Sequence, residues 1–486
     1  MEGEGIRSLI HPVRWPVLGR YLGQLAVVLS LLTLPPFGVA LWFGEYPVAW
    51  RYLAVIVGLA GAAAWLTRLQ APDRLHDNEA MVIVSLAFIL APLLMTFPLA
   101  AAGLAWTDAW FEAVSGITTT GLSTLVDVSG QSASLLFTRA WMQWYGGLGI
   151  AVLAVVLLAQ HGPAARKLAE PAGAEVQVSS TRAHARRVLA VYLLLSLFGL
   201  LLIWGAGMAP FDALVHALAA VSTGGFSSFD DSLAGPVPTA AAFAVVCTAL
   251  LGSVSLPLYY FAYRRGLREL LPDLELRALL LASLSLTLIL AGWFSWHGYA
   301  PLLALRDAAL LAVSAQTTAG FSPLDVASLD AFAKGLLILA MVTGGSVAST
   351  AGGIKLLRLL IFLRLIQLVL RRSALPSHAV LEPRLAGHRL ESDAIIRALS
   401  LIGLFALVVL LSWLVFLAYG YPPLDALFEV VSAVGTVGLS AGLTGPDLPA
   451  ALKWLLCLDM LAGRLEIVAL LVTLYPVTWF GQARGE

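Results

Sequence analysis

A five-residue pattern, Thr-x-Gly followed by Leu or Phe and then Ser, occurs four times and constrains the fold more than any other feature of the chain. Its copies begin at Thr119, Thr223, Thr318 and Thr436. An Asp-Ala pair precedes each glycine of the pattern by thirteen residues, at Asp108, Asp212, Asp307 and Asp425. An ordinary helix-ending turn would explain one copy, but four copies in the same register indicate an internal repeat.

The sequence around these copies is that of a membrane protein. Of the 486 residues, 59% are hydrophobic and 12% are charged, whereas a soluble domain carries about 25% charged residues. Apolar runs of about 20 residues without two-residue alternation cross a bilayer as helices. We therefore predict an all-α polytopic membrane protein. The longest runs cover residues 21–43, 81–104, 188–208, 240–263, 276–296 and 394–419.

The stretch between each aspartate and its threonine is too short to cross a membrane. A helix of ten or eleven residues rises about 16 Å, half of a hydrocarbon core. We predict a half-helix that the aspartate caps at its start and whose negative end points at the Thr-x-Gly loop. Four such loops around one axis would offer a ring of backbone carbonyls to a cation, as in potassium-channel filters. The glycine permits the backbone conformation that this ring requires.

Each repeat is thus expected to contain an outer helix, a pore half-helix, a loop and an inner helix. With two further helices at the N-terminus, the chain would hold ten full spans and four half-helices around a pseudo-fourfold pore. The predicted divisions are an N-terminal extension, 1–75, and repeats at 76–165, 166–270, 271–385 and 386–486. Both termini then share a side, and loops on the opposite side carry five basic residues, Arg51, Arg139, Arg306, Lys334 and Lys453. The positive-inside rule places the termini in the cytoplasm.

Acidic residues follow the four loops at Asp127, Asp230, Asp231, Asp325, Asp330 and Asp447. They either form an acidic mouth that concentrates cations or simply face water.

The inner segment of the third repeat is interrupted by small polar residues at 343–353. Four of them are glycines, which each cost about 1 kcal/mol relative to alanine in a helix. A loop here, below the filter, could gate the pore by moving, and close helix packing is the alternative. A phosphate-binding loop is excluded, because Gly353-Ile354-Lys355 lacks the Gly-Lys-Ser/Thr motif.

Six ionisable residues lie in the apolar segments near the end of the chain or in the half-helices. Arg464 is expected to point at the pore near the broken segment, with snorkelling to headgroups as the alternative. Glu466 is expected elsewhere on the same helix, and Asp459 has no assigned role. Glu429, like Glu112 and His216 at the same position of other repeats, is expected to be satisfied by hydrogen bonds.

With these features the chain resembles the Trk/Ktr/HKT superfamily of potassium transporters, and bacterial Trk-type membrane subunits (TrkH) in particular. The two extra N-terminal helices favour the Trk form over the shorter Ktr form. Three local stretches also match, Gln143-Trp-Tyr-Gly-Gly-Leu-Gly149, Ser349-Thr-Ala-Gly-Gly-Ile-Lys355 and Gly463-Arg-Leu-Glu466. One departure is Val347, which stands where many relatives have proline.

The resemblance implies roles for individual residues. The filter would comprise Thr119, Thr120, Gly121, Thr223, Gly224, Gly225, Thr318, Ala319, Gly320, Thr436, Val437 and Gly438, with the first two residues of each copy as K⁺ ligands. The gate would comprise Gly344, Gly345, Ser346, Ser349, Thr350, Gly352, Gly353, Lys355 and Arg464. A serine in the first filter accompanies sodium transport in plant relatives, so Gly121 indicates potassium.

The predicted function is gated potassium uptake across a bacterial inner membrane. An H⁺- or Na⁺-coupled potassium symporter and a less selective K⁺/Na⁺ transporter are the alternatives. A membrane enzyme is disfavoured, because no metal-ligand cluster or nucleophile–base pair stands out. The resemblance further implies a homodimer and a cytoplasmic ring of TrkA-type subunits that bind the nucleotide. Potassium would be the transported ion, with no organic cofactor in this chain and no nucleic-acid partner.

Overall fold

A computed structural model describes residues 12–70, 75–160, 181–376 and 382–480. Arg7, Arg74, Arg166 and the junction predicted between the first and second repeats, 165–166, lie outside them. Nearly all regular structure is helical, and one hairpin of two-residue strands, Arg384–Leu385 and His388–Arg389, joins two helices. The contacts divide the chain into two compact units.

The first unit is built from described residues within Met1–Val114, Gln131–Thr138 and Leu465–Glu486. Val13 donates its backbone N–H to the carbonyl of Thr478 over 2.8 Å, so the two ends of the described chain lie together. Its helices are α1 (Trp15–Trp42), α2 (Tyr46–Leu66), α3 (Asp77–Leu99), the first part of α4 (Trp106–Ile117), the start of α5 (Ala133–Gln160), α17 (Val468–Leu474) and α18 (Pro476–Phe480).

The second unit comprises Ser115–Gly130 and Arg139–Arg464, and it contains all four Thr-x-Gly loops. Its apolar core joins the outer helix, half-helix and inner helix of the third repeat to the half-helix of the fourth. Its further helices are α6 (Thr181–Gly205), α7 (Pro210–Val221), α8 (Thr239–Ser253), α9 (Leu256–Arg265), α10 (Leu274–Trp296), α11 (Pro301–Gln316), α12 (Ala331–Val342), α13 (Leu356–Ser373), α14 (Ser392–Ala418), α15 (Pro423–Val434) and α16 (Ala450–Arg464).

The prediction of an all-α polytopic membrane fold is confirmed. Among the described residues, six helices are long and apolar enough to cross a bilayer, and a bent pair, α8 with α9, would make a seventh. The ten full spans are not all long single helices, because inner segments are broken, and their number stays a prediction. The six are Trp15–Trp42, Tyr46–Leu66, Asp77–Ala102, Ala185–Gly205, Leu274–Trp296 and Ser392–Ala418.

Breaks occur in three of the inner segments, where the sequence predicted only one. The run 240–263 was expected to be a single span, but α8 and α9 meet at 87°. Pro257 in the first turn of α9 has no N–H and restricts the residue before it, which favours a break there. In the fourth repeat α16 ends at Arg464, and Glu466 has a φ of 54°. The sequence predicted that Glu466 lies on the same helix as Arg464, and this prediction is wrong because the helix ends before Glu466.

The half-helices begin earlier than predicted. α7 and α15 start two residues before their aspartates, and α11 starts six residues before Asp307. The aspartates are thus not N-caps, which corrects the sequence prediction. Each of these three helices has a proline in its first turn, where the missing N–H would have had no helical partner anyway. Asp212 instead accepts a hydrogen bond from Ser228 Oγ at 2.7 Å, beyond the filter.

Candidate cation-conducting site

Each half-helix ends two residues before a threonine with left-handed backbone. The φ values are 54° at Thr119, 53° at Thr223, 55° at Thr318 and 48° at Thr436. A positive φ is unusual for a β-branched residue and costs about 1–3 kcal/mol, so it persists only where surrounding structure imposes it. Four equivalent occurrences indicate a shared functional geometry, and the negative ends of the four half-helix dipoles are next to it.

The four loops form a closed ring. A Cβ built on Gly121 would lie within 3.0 Å of the carbonyl oxygen of Gly224, in the next repeat. The same overlap would occur between Gly225 and the Ala319 carbonyl. A Cβ on Gly320, in the third repeat, would overlap the Val437 carbonyl of the fourth. A Cβ on Gly438, in the fourth repeat, would overlap the Thr120 carbonyl of the first. Each glycine of the pattern is thus required by the carbonyl of its neighbour, and these contacts join eight of the twelve residues predicted for the filter.

Buried side chains hold the filter loops from behind. The backbone N–H of Gly121 donates to Ser115 Oγ at 3.0 Å, and that of Gly438 donates to Ser432 Oγ at 3.0 Å. Glu429 accepts the N–H groups of Ala441 and Leu443 at 2.9 and 3.1 Å, as predicted for this acid. These contacts fix the loop backbone without placing a side chain in the ring.

His216 also has the partners expected of a satisfied buried histidine. Its Nδ1 lies 2.8 Å from the Asp212 carbonyl and its Nε2 lies 3.0 Å from Ser227 Oγ. The residue therefore supports the second loop and is not an ion ligand.

Gln143 is a functional candidate that reasoning from the sequence did not assign a role. Its side chain straddles the filter glycine Gly225: Nε2 donates to the Gly224 carbonyl, and Oε1 accepts the Phe226 N–H at 3.2 Å. One turn earlier on α5, the guanidinium of Arg139 lies 3.9 Å from the centre of the Phe226 ring. The only sequence signal was the Gln-Trp-Tyr-Gly-Gly stretch, which no periodicity connected to the second loop.

The predicted gate residues from Gly344 to Lys355 form a loop between α12 and α13, directly below the ring. The Gly352 N–H donates to Thr318 Oγ1 at 2.8 Å, and Thr350 Oγ1 lies 3.5 Å from Thr223 Oγ1. A Cβ on Gly352 would overlap Thr436 Oγ1. The loop therefore lies against three of the four threonines at which the Thr-x-Gly pattern begins.

Arg464 is buried and contacts this loop. It is 2% exposed, and its Nη1 donates to the Thr350 carbonyl at 2.8 Å. Its Nη2 donates to the Gly146 carbonyl on α5 at 3.3 Å. The alternative that this arginine snorkels to headgroups is wrong, because both bonds are made inside the protein.

Glycines allow the inner helices to approach the ends of the half-helices. Cβ atoms on Gly146, Gly252 and Gly463 would overlap the last carbonyl of the half-helix in their own repeats. Those carbonyls belong to Ile117, Val221 and Val434. The glycine before Arg464 thus brings this arginine to the level of the loop below the filter.

Known proteins of similar sequence are cation transporters. The family model described as "TrkH: Cation transport protein" matches residues 50–477. The Trk system potassium uptake protein TrkH of Halomonas elongata is 32% identical, covering 95% of this chain and 98% of its own. The protein of the same name from Escherichia coli K12 is 30% identical over the same shares.

A solved structure is similar over the whole fold. The crystal structure of the potassium transporter TrkH from Vibrio parahaemolyticus superposes with a TM-score of 0.86 at 28% identity, covering 96% of this chain and 100% of that one. The chain therefore belongs to the TrkH family of cation transport proteins, a family of multi-pass membrane transporters and not of enzymes.

Proposed function

We propose that this protein takes up potassium through a gated pore whose filter is the ring of four Thr-x-Gly loops. The observation that carries the proposal is the closure of that ring, in which each glycine faces the carbonyl of the next repeat. Hydroxyl and carbonyl oxygens are hard ligands suited to a dehydrated alkali cation. The ligands would be Thr119, Thr120, Thr223, Gly224, Thr318, Ala319, Thr436 and Val437. The names of relatives at 30–32% identity support potassium as the transported ion.

We further propose that the loop from Gly344 to Lys355 and Arg464 keep the pore closed. Two observations support this role: the loop lies against three filter threonines, and Arg464 binds the loop through the Thr350 carbonyl. Opening would require the loop to leave the space below the ring.

The test is uptake of rubidium and sodium into liposomes that contain the purified protein, compared with a variant lacking residues 344–353. We expect the deletion variant to take up rubidium faster than the complete chain and faster than sodium. A folded deletion variant that conducts neither ion would overturn the pore. Equal rubidium uptake by both proteins would overturn the gate and keep the pore.

Proton-coupled potassium uptake is the second candidate, and one observation favours it. Asp459 on α16 is 1% exposed, and its Oδ1 accepts a hydrogen bond from Ser412 Oγ at 2.7 Å. Within the part of the chain that the structure describes, no group bonds its Oδ2. A buried carboxyl between two helices can take up and release a proton. If it does so during transport, a pH gradient would drive rubidium uptake, and Asp459→Asn would abolish that dependence. Rubidium uptake that ignores the pH gradient would reject coupling.

The assembly proposed for this protein is a homodimer with a cytoplasmic ring of TrkA-type subunits, in a bacterial inner membrane. Contact between Val13 and Thr478 supports termini on one side, and the basic loops support a cytoplasmic location. Light scattering in detergent tests the dimer, and co-purification with the regulatory subunit tests the ring. Cysteines introduced near each terminus and labelled in sealed cells would test the orientation of the termini.

A further inference from the structure

Glu275 makes two backbone contacts that connect the gate loop to the helix after it. Its carboxylate accepts the Val347 N–H, with 3.1 Å to Oε1 and 3.3 Å to Oε2. Oε1 also accepts the N–H of Leu357, in the first turn of α13, at 3.0 Å. A single side chain from α10 therefore holds both the descending arm of the loop and the start of α13.

The residue is placed for this contact by a fixed part of the fold. It lies in the first turn of α10, and it is 9% exposed. Further along α10, Leu286 and Leu290 are buried in the same apolar cluster as half-helix α11 and inner helix α12. The carboxylate thus comes from a helix that the core holds in place.

The helix on the other side of the contact is held much less firmly. Of the 18 residues of α13, only Leu356 and Ile361 are buried. Lys355, the residue before α13, makes no side-chain cap for it, so Glu275 caps the first turn from another helix. A displacement of α13 would have to break this bond before the loop could follow.

We propose that Glu275 is a positioning residue of the gate, which keeps the loop below the filter by tying Val347 and Leu357 to α10. The inference rests on the proposed gating function of the loop. Among the described residues, the hydrogen bonds of this carboxylate come from backbone N–H groups, so the contact can be removed from either side. Glu275→Ala removes the acceptor, and Val347→Pro removes one donor, since proline has no N–H.

The chain offers a matched control for each variant. Asp273 is two residues before Glu275 and accepts the N–H of Leu276 at 2.7 Å within its own helix. Asp273→Asn therefore keeps a capping oxygen at the start of α10 and changes the neighbouring acid without touching the gate loop. Val347→Ala also removes the valine side chain, but unlike Val347→Pro it keeps the backbone N–H. Glu275→Gln keeps an acceptor oxygen and should behave closer to the native protein than Glu275→Ala.

Two readouts are measured on each purified, reconstituted variant: rubidium flux, and the rate at which a water-soluble maleimide labels a loop cysteine. The label site is Ser349→Cys, at a residue 1% exposed, in a Cys247→Ser background that removes the exposed native thiol. We expect Glu275→Ala and Val347→Pro each to raise labelling and flux several-fold. The double variant should behave like Glu275→Ala, because that change already removes the contact with Val347. Asp273→Asn should match the native protein, and Val347→Ala should stay well below Val347→Pro in both readouts because it keeps the N–H.

The outcomes separate this inference from the gate itself. If deletion of 344–353 raises flux but Glu275→Ala and Val347→Pro leave labelling and flux unchanged, the role of Glu275 is wrong and the gate stands. If deletion leaves flux unchanged while both variants raise labelling, Glu275 positions the loop but the loop is not the gate. If Glu275→Ala fails to fold, Val347→Pro with its alanine control decides the question alone.

Discussion

The guanidinium of Arg464 donates to the main-chain carbonyl of Thr350 over 2.8 Å, across 114 residues of sequence. Thr350 in turn donates its hydroxyl to the carbonyls of Val221 and Gly252, at 3.0 and 2.9 Å. A residue of the fourth repeat thus holds a loop of the third repeat against the half-helix end and inner helix of the second. Thr350 therefore joins the second, third and fourth repeats at the broken segment.

Replacing Arg464 with alanine should raise basal rubidium flux. Hydrogen bonds from a charged group contribute about 1.5–3 kcal/mol each, and 1.4 kcal/mol is a tenfold change in an equilibrium, so the open fraction should rise about tenfold or more. Arg464→Lys should fall between the two, since lysine keeps the charge without the two-pronged donor. Flux into liposomes is the measurement. Arg364→Ala, which removes an arginine of α13, is the control. Equal flux through the native protein, Arg464→Ala and Arg464→Lys would show that Arg464 does not hold the gate.

Replacing Gly121 with serine should raise sodium permeation relative to potassium and lower total flux. Gly121 has a φ of 93°, and its new Cβ would displace the Gly224 carbonyl from the ring. The measurement is the ratio of rubidium to sodium uptake. Gly445→Ser is the control, because a Cβ there meets no atom within 4 Å. An unchanged ratio in the Gly121 variant would remove this residue from the filter.

Replacing Gln143 with glutamate should change selectivity without breaking the second loop. The carboxylate can still accept the Phe226 N–H but cannot donate to the Gly224 carbonyl, which is then free to move. We expect a lower ratio of rubidium to sodium uptake at nearly native thermal stability. Gln143→Ala, which loses both bonds, should lower the ratio and the melting temperature together. A native ratio in the glutamate variant would limit Gln143 to a packing role.

The contact between Asp230, after the second Thr-x-Gly loop, and Val128 and Ser129, after the first, should lose stability at low pH. Hydrogen bonds from the Ser129 hydroxyl, at 2.7 Å, and from the Ser129 and Val128 N–H groups lower the pKa of this carboxyl below its ordinary 3.8. Because the pKa is lowered on folding, the stabilisation is fully present above pH 3.8 and is lost as the pH falls through the lowered value.

Thermal unfolding of native protein and Asp230→Ala between pH 7 and pH 3 measures this contribution. The native protein should melt higher at neutral pH, and the two curves should approach each other below about pH 3.8, the ordinary value for aspartate. Asp231→Ala, at the neighbouring acid, is the control. A difference that persists unchanged at low pH would mean that the Asp230 charge does not hold the two loops together.

Local sequence determined much of this protein. The fourfold Thr-x-Gly spacing and the apolar runs predicted the helices, the half-helices and the filter positions, because these depend on residues close together in the chain. The prolines in the first turns explain why half-helices begin before their aspartates. Pro257 explains why residues 240–263, which hydrophobicity predicted as one span, form two helices.

Only the tertiary structure decided which repeats meet and which side chains hold them. The order of the ring, the bridge from Gln143 to the second loop and the contacts of Glu275 and Arg464 with the gate loop all join residues separated by 72 or more positions. No periodicity encodes such pairs, since each depends on how helices from different repeats pack. The Thr-x-Gly pattern could therefore be found from the sequence alone. The contacts that hold the Thr-x-Gly loops and the gate loop in place exist only after folding.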